Sequence, residues 1–143
     1  MTIKRFSEYL ASGIVKKRTP DLERAESLRM EAKKKKEFIE LVISKIPEKQ
    51  LSPNFIVDSS YDILIEMIRA KMLIDGYNTD NSHEAEVSYL EKLGFSEVDI
   101  RLMDELRYYR NGIKYYGKVM DLEYAQKMLE FMEKMSGKLW KLY

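Results

Sequence analysis

The sequence contains no cysteine and a single histidine, His83, among its 143 residues. Without cysteine the chain can form neither a disulfide nor a thiolate metal site, and it has no cysteine nucleophile. One histidine excludes a multi-histidine zinc site within the chain and disfavours a Ser-His-Asp triad. We therefore expect no metal and no cofactor.

Long hydrophobic runs are also missing. No run reaches the length needed to cross a bilayer, and the N-terminus lacks the apolar centre of a signal peptide. The formal net charge is +1, so any nucleic-acid site must be a local patch rather than the whole surface. These features predict a cytoplasmic protein that does not associate with membranes.

The length and composition are those of one soluble globular domain. Apolar residues recur at steps of three and four, as in amphipathic helices, and no strand-like alternation is visible. Asp21 has the character of a helix N-cap, and Pro47 stops the helix that follows it. The next helix, residues 54–76, is apolar almost all round, which predicts a central core helix. Residues 1–20, before the first long helix, are interpreted as an N-terminal arm.

Three further helices are predicted from cap residues. Ser82 opens a short helix that ends at Gly94. Ser96 opens the third long helix with the pattern of a capping box, and Asp121 caps the fourth. Four long helices with short connections predict an all-α fold for residues 21–143, an up-down four-helix bundle with one extra short helix.

Most residues that could carry chemistry lie between Leu106 and Gly117, in the third long helix. At about 100° per residue, one side of this helix is apolar and the other is polar. The polar side holds Arg107, Asn111, Lys114, Tyr115 and Lys118, with Arg110 at its border. Periodicity alone favours a core helix with a solvated back. Because Asn-Gly is a turn signal, a kink or end at 111–112 and an end at Gly117 both stay open.

Two runs of cations and the histidine lie outside this helix. Lys33–Lys36 and Lys16–Arg18 are interpreted first as solvated surface and second as phosphate-binding groups. His83, in the first turn of the short helix, is interpreted as a local hydrogen-bonding or packing residue rather than a catalyst.

Several stretches together resemble the HEPN domain family, whose members are small four-helix bundles of prokaryotic toxin–antitoxin and RNA-processing systems. The stretches are 13–18, 21–28, 76–78, 82–85 and 110–117, and the resemblance covers nearly the whole chain. It implies a homodimer with two copies of the motif at the interface. In active members of the family the paired motifs form a metal-independent endoribonuclease site.

The resemblance also implies roles for individual residues. Arg110 matches the motif arginine and Asn111 the polar residue after it, whereas Tyr115 stands where the family has histidine. Histidine, with a pKa of about 6.5, suits acid–base catalysis at neutral pH better than tyrosine, with a pKa of about 10. Arg110 could still stabilise charge on phosphate. His83 could replace the missing base only if the fold or a partner subunit brings it close.

Two functions follow as expectations. The first is RNA binding, with weak endoribonuclease activity as an open question. Its catalytic candidates are Arg110, Asn111 and Tyr115, and its RNA-binding candidates are Arg107, Lys114, Tyr116 and Lys118. Cations for phosphate beside aromatic rings for bases, here including Tyr108, are typical of single-stranded RNA binding.

The alternative is a non-catalytic dimeric interaction module that pairs with a nucleotidyltransferase antitoxin, which the missing histidine favours. Some family members are modified by such a partner on a tyrosine two positions after the histidine. That position is Gly117 here. Modification of Tyr115 or Tyr116 is therefore conceivable but does not follow from the motif.

Overall fold

The structure, a computed structural model, describes residues 3–143. It is helical apart from one small two-stranded sheet, which confirms the predicted all-α class. A 3₁₀ turn, Glu48–Gln50, joins the second and third helices. The elements are α1 (Phe6–Ala11), β1 (Val15–Lys17), α2 (Leu22–Lys45), α3 (Pro53–Asp75), β2 (Tyr77–Thr79), α4 (His83–Lys92), α5 (Glu97–Tyr116) and α6 (Leu122–Trp140). Among the described residues, no helix combines the length and apolar character that a bilayer crossing requires.

Local side-chain caps determine where the five longer helices begin. In each case the cap oxygen accepts the backbone N–H of the residue three positions later, which satisfies a donor that the helix itself cannot pair. The caps are Asp21, Ser52, Ser82, Ser96 and Asp121. Four of these were predicted. Ser52 was not, because it lies within a segment interpreted only as a loop.

Helix α3 is the central element, as predicted. Helices α2, α4, α5 and α6 all pack against it. Most of its buried apolar residues lie in the main core cluster, and Ala70 and Leu73 form a smaller one with Ala25. Ser60 and Ala70 on this helix are fully buried, and their small side chains allow the neighbouring helices to approach closely.

Helix α5 continues through the Asn-Gly pair at 111–112 and ends at Tyr116, so the alternative of a break at that pair is wrong. Gly117 ends the helix in the left-handed conformation, with φ of 65°. The Lys118 N–H then donates to the Gly112 carbonyl at 3.1 Å. A side chain on Gly112 would lie 3.2 Å from Lys118 Cδ. The glycine therefore makes room for the chain returning past the helix end.

The N-terminal segment is packed onto the rest of the molecule. Strands β1 and β2 pair antiparallel, with Val15 opposite Thr79. Strands of three residues are too short to show alternation, which is why the sequence did not predict them. Phe6, Tyr9 and Val15 are buried in the same core cluster as α3. The first two residues of the predicted arm lie outside the described residues.

Gly76 allows this segment to cross the end of α3 at close range. Its φ is 84°, a conformation that favours glycine. The Arg18 N–H donates to the Gly76 carbonyl at 2.8 Å. A Cβ on Gly76 would lie only 2.8 Å from the Arg18 carbonyl oxygen. The position therefore excludes a side chain for two separate reasons.

Replacing Gly76 should destabilise the protein more than replacing Gly94. Gly94 has a similar φ of 86° but open space around its Cβ position, so Gly94→Ala carries only the conformational cost, about 1–2 kcal/mol. Gly76→Ala adds a backbone clash, and we expect a loss of about 2–4 kcal/mol. Urea unfolding of the two variants measures the difference, and equal losses would contradict the close crossing.

Candidate functional site

A polar cluster lies where α3, α4 and α5 meet, and Arg110 is at its centre. The Arg110 residue is only 8% exposed. Its Nε donates to Asp58 Oδ1 at 3.2 Å, and its Nη2 donates to Asp62 Oδ1 at 3.3 Å. The two acids are four residues apart and therefore share one face of α3. The predicted motif arginine is thus held by two carboxylates of the central helix.

The carboxylates of this pair are not equivalent. Burial raises the pKa of Asp62, and the charge of Asp58 raises it further. Arg110, Lys35 and Lys114 act in the opposite direction but do not cancel the effect. Asp62 therefore protonates at a higher pH than an ordinary aspartate.

Tyr61 connects Arg110 to His83. The Arg110 guanidinium carbon lies 5.3 Å from the centre of the Tyr61 ring, within cation–π range. The Tyr61 hydroxyl and His83 Nδ1 form a 2.9 Å hydrogen bond, and the two rings are stacked with centroids 5.9 Å apart. The fold thus brings the single histidine into the neighbourhood of Arg110, across the Tyr61 ring.

The protonation states of this pair are set by burial. Burial lowers the pKa of His83, and the positive charges of Arg69, Arg110 and Arg107 lower it further, against the opposing charge of Glu86. Burial also raises the pKa of Tyr61 well above its usual value. At neutral pH the histidine is therefore neutral and the tyrosine is protonated.

The other arginines of the cluster are also paired with acids. Arg69 makes a bidentate contact with the buried Glu86, including an Nη2–Oε1 hydrogen bond of 2.9 Å. Arg107 Nε donates to Asp104 Oδ1 at 2.8 Å, and its Nη1 lies 3.7 Å from Glu84 Oε1. With Arg110, three guanidinium groups thus face five carboxylates. A phosphate entering this cluster would have to displace a carboxylate.

A second, more exposed group lies at the C-terminal end of α5. We call it the tyrosine–lysine surface, and it consists of Tyr108, Lys114, Tyr115, Tyr116 and Lys118. Tyr115 is 64% exposed and Tyr116 is 85% exposed. The Lys114 ammonium lies 5.7 Å from the Tyr115 ring, and that of Lys118 lies 5.7 Å from the Tyr108 ring. Over residues 3–143, no carboxylate lies within 4.0 Å of either ammonium.

Asn54, at the start of α3, fixes the loop that carries part of this surface. Its Nδ2 donates to the Lys118 carbonyl at 3.0 Å, and its Oδ1 accepts the Met120 N–H at 2.8 Å. An asparagine that bonds both a carbonyl and an N–H of one loop acts as a two-point clamp. Nothing in the sequence distinguishes this asparagine from an ordinary surface residue.

The structure divides the predicted site residues between these two places. Arg107 and Arg110 lie in the polar cluster. Lys114, Tyr115, Tyr116 and Lys118 lie on the tyrosine–lysine surface, and Asn111 is half-buried on α5 between the two groups. Tyr115, which the sequence resemblance aligned with a motif histidine, is exposed.

Sequence reasoning missed the α3 side of the cluster. Asp58, Tyr61 and Asp62 lie three and four residues apart in a helix that is otherwise strongly apolar. Polar side chains on one face of a buried helix must find partners, so this spacing was a usable signal. The identity of their partners was not readable, since Arg110 is 52 and 48 residues away from the two acids.

The cations of 33–36 take different partners. Lys35 pairs with Glu66 of α3 and lines a groove with Asp58 and Asp62. Lys36 lies 3.2 Å from Glu133. Lys34 lines the same groove. The run therefore touches the edge of the polar cluster through Lys34 and Lys35.

Over residues 3–143, no group of three or more histidine, aspartate or glutamate side chains is arranged to hold a metal ion. No family model matches the chain, and no match was found among curated proteins or among solved structures. The functional proposal therefore rests on the contacts of the chain itself.

Replacing Arg110 should cost stability in a pH-dependent way. Arg110→Leu leaves Asp58 and Asp62 near each other without the cation that bonds them both, and because both acids are partly exposed we expect a loss of about 1–2 kcal/mol at neutral pH. The loss should shrink in mild acid, because the variant's Asp62 has an even higher pKa and protonates first. Chemical unfolding at the two pH values measures this. The exposed Arg101→Leu on the same helix is the control, expected to change stability by less than about 0.5 kcal/mol. A pH-independent loss would contradict the pairing.

The histidine should titrate below its ordinary value. Because His83 is the only histidine, its ring protons give unambiguous NMR resonances. We expect a midpoint below about 6.5. Its lowered pKa in the fold means that the unfolded chain binds the proton first as pH falls, so stability should decrease below about pH 6.5. His83→Gln should remove that decrease, and a midpoint at or above 6.5 would contradict the buried neutral ring.

Proposed function

We propose that the protein binds single-stranded RNA on the tyrosine–lysine surface and does not cleave it. The observation that carries this proposal is the position of Lys114 and Lys118 against tyrosine rings, with no carboxylate within ion-pair distance over residues 3–143. Ammonium groups that are not paired with acids are available to phosphate. The same ammonium groups lie within cation–π distance of neighbouring tyrosine rings.

The exposed tyrosines supply the second half of an RNA site. Unstacked bases gain about 1–3 kcal/mol each by stacking on aromatic side chains, without regard to sequence. Tyr108, Tyr115 and Tyr116 are all more than half exposed. The surface therefore offers rings for bases and cations for the backbone that connects them.

The contacts of Arg110 disfavour cleavage. RNA cleavage through the 2′-hydroxyl needs a base, an acid and stabilisation of phosphate charge. Arg110 is nearly buried and already bonded to Asp58 and Asp62. Tyr115 is a poor base, and His83, although neutral, is hydrogen-bonded to Tyr61 at Nδ1. We therefore assign Arg110 to the architecture of the site rather than to catalysis, and Arg107 in its acidic pairs likewise.

The proposal includes the family and the finer architecture. In it α2, α3, α5 and α6 form an up-down four-helix bundle of the HEPN type, and two copies pair as a homodimer. The protein then acts in the cytoplasm of a prokaryote, in a toxin–antitoxin or other RNA-related system. The packing of α2, α5 and α6 around α3 supports this arrangement, as do the sequence stretches that resemble the family.

A second candidate function is a dimeric interaction module that pairs with a nucleotidyltransferase. The observation that favours it is the apolar character of the same region, where Val119 is 82% exposed next to the exposed Tyr116. Large apolar side chains at the surface are typical of protein interfaces. The absence of RNA binding would favour this candidate.

RNA binding can be measured by fluorescence anisotropy with a labelled single-stranded oligonucleotide in EDTA, followed by gel analysis for cleavage. We expect binding without cleavage. The double variant Lys114→Gln/Lys118→Gln should weaken binding and reduce the slope of log affinity against log salt by about 1.4, which is 0.7 for each phosphate contact. Tyr115→Ala/Tyr116→Ala should weaken binding at least about tenfold.

The control is Lys127→Gln, which removes an exposed lysine of α6 and so tests net charge alone. It should leave affinity nearly unchanged. Equal affinities for the wild type and the double lysine variant would contradict the proposed surface. Cleavage in EDTA by the wild type but not by Arg110→Lys would contradict the structural role given to Arg110.

A further inference from the structure

A cleft separate from both groups of residues lies between α2 and α6. Its volume is about 440 Å³, within the range of small-molecule sites. Ala32, Met67 and Ser136 are buried residues that line it, and Trp140 lines it near the C-terminal end of α6. We call it the α2–α6 cleft. No residue of the tyrosine–lysine surface borders it.

Gly137 keeps this cleft open. It lies inside α6 and lines the cleft, and a Cβ built there would meet no atom within 4 Å. A glycine inside a helix costs roughly 0.5–1 kcal/mol relative to alanine, and here neither a positive φ nor close packing requires it. What the missing side chain provides is free space one helical turn before Trp140.

The Trp140 ring is supported by a cation. The Arg29 guanidinium carbon lies 4.3 Å from the centre of the indole ring. Arg29 Nη1 bonds Glu26 at 2.9 Å, and Arg29 Nε is buried without a hydrogen-bond partner among the described residues. A ring in contact with a guanidinium is held in place, and the Tyr143 ring, whose centroid lies 5.8 Å from that of Trp140, adds to this support. Because Trp140 also lines the cleft, it offers an aromatic side chain to a ligand at this end.

Lysines and glutamates both line the cleft, and Glu37 is among them. Lys33, whose ammonium is 5.9 Å from the Trp140 ring, and Lys141, the residue after Trp140, both line it. Over residues 3–143 neither has an ion pair with a carboxylate. Glu40 and Glu133 also line the cleft, and Lys36 lies 3.2 Å from each of them. Within the described residues, the cleft thus has two unpaired ammonium groups, of Lys33 and Lys141, near Trp140. It also has two carboxylates that accept hydrogen bonds, Glu40 and Glu133, beside Lys36.

We propose that the α2–α6 cleft binds a purine nucleoside monophosphate, with the base on Trp140, the phosphate between Lys33 and Lys141, and N–H groups of the base donating to Glu40 or Glu133. Each part of the ligand then meets a side chain of matching chemistry. A flat ring stacks on indole, a dianion meets two ammonium groups, and amino groups meet carboxylates. The space beside Gly137 accommodates the sugar.

The test uses the intrinsic fluorescence of Trp140, the only tryptophan in the chain. The full chain is titrated with AMP and with GMP, and calorimetry repeats the titrations independently of fluorescence. We expect saturable quenching by both nucleotides. Adenosine, guanosine and inorganic phosphate should each bind at least about tenfold more weakly, because each lacks one of the two main contacts.

Variants locate the binding. Gly137→Leu should abolish it by filling the cleft, while raising the thermal midpoint by a few degrees, because leucine is a better helix former than glycine. Lys33→Gln/Lys141→Gln should weaken it by at least about tenfold. Lys127→Gln is the control and should not change it.

Two results would overturn the proposal: no saturable binding of either nucleotide at millimolar concentration, or equal binding by the Gly137→Leu variant. Lys114→Gln/Lys118→Gln should bind nucleotide normally. If that variant loses RNA binding but still binds nucleotide, the two sites are separate. The proposal for one site can therefore be contradicted while the proposal for the other stands.

Discussion

Helix α3 has almost no face exposed to water, and the other helices are arranged to cover it. Burying such a helix removes a large apolar area from solvent, which is the dominant favourable contribution to folding. It also favours partners within the protein for the charged side chains on α3, since an unpaired buried charge is costly. The ion pairs of α3 described above are consequences of this constraint.

Four charged residues of α3 form one line along the helix. Asp58, Asp62, Glu66 and Arg69 are separated by four, four and three residues and so share a face. They pair with three neighbouring helices. Arg110 of α5 holds the first two, Lys35 of α2 holds the third, and Glu86 of α4 holds the fourth. The polar cluster around Arg110 is therefore one part of a longer row of paired charges along α3.

Much of the fold could be predicted because its determinants are local. Asp21, Ser82, Ser96 and Asp121 act on residues only three positions away, and the central helix was evident from its apolar circumference. The two strands were not predictable, because three residues give no pattern and their pairing depends on the crossing at Gly76.

The candidate site was predictable only in part. The sequence singled out α5 as rich in cationic and aromatic side chains, but helical periodicity could not show that Arg110 faces two acids while Lys114 faces a tyrosine ring. Those outcomes depend on which side chains of α3 stand opposite, and contacts between residues about 50 positions apart leave no trace in a single sequence. The proximity of His83 to Arg110 through Tyr61 was hidden for the same reason.

The order of charges along α3 has a consequence for the precision of assembly. Helices held together by apolar ridges alone can slide past one another by one turn, about 5.4 Å, and still bury similar area. Here three acids are followed by one base along this line, and they pair with α5, α2 and α4 in turn. A one-turn slip of α4 would carry Glu86 from Arg69 towards the acidic positions and place like charges together. The order of these ion pairs therefore fixes the axial position of the surrounding helices relative to α3.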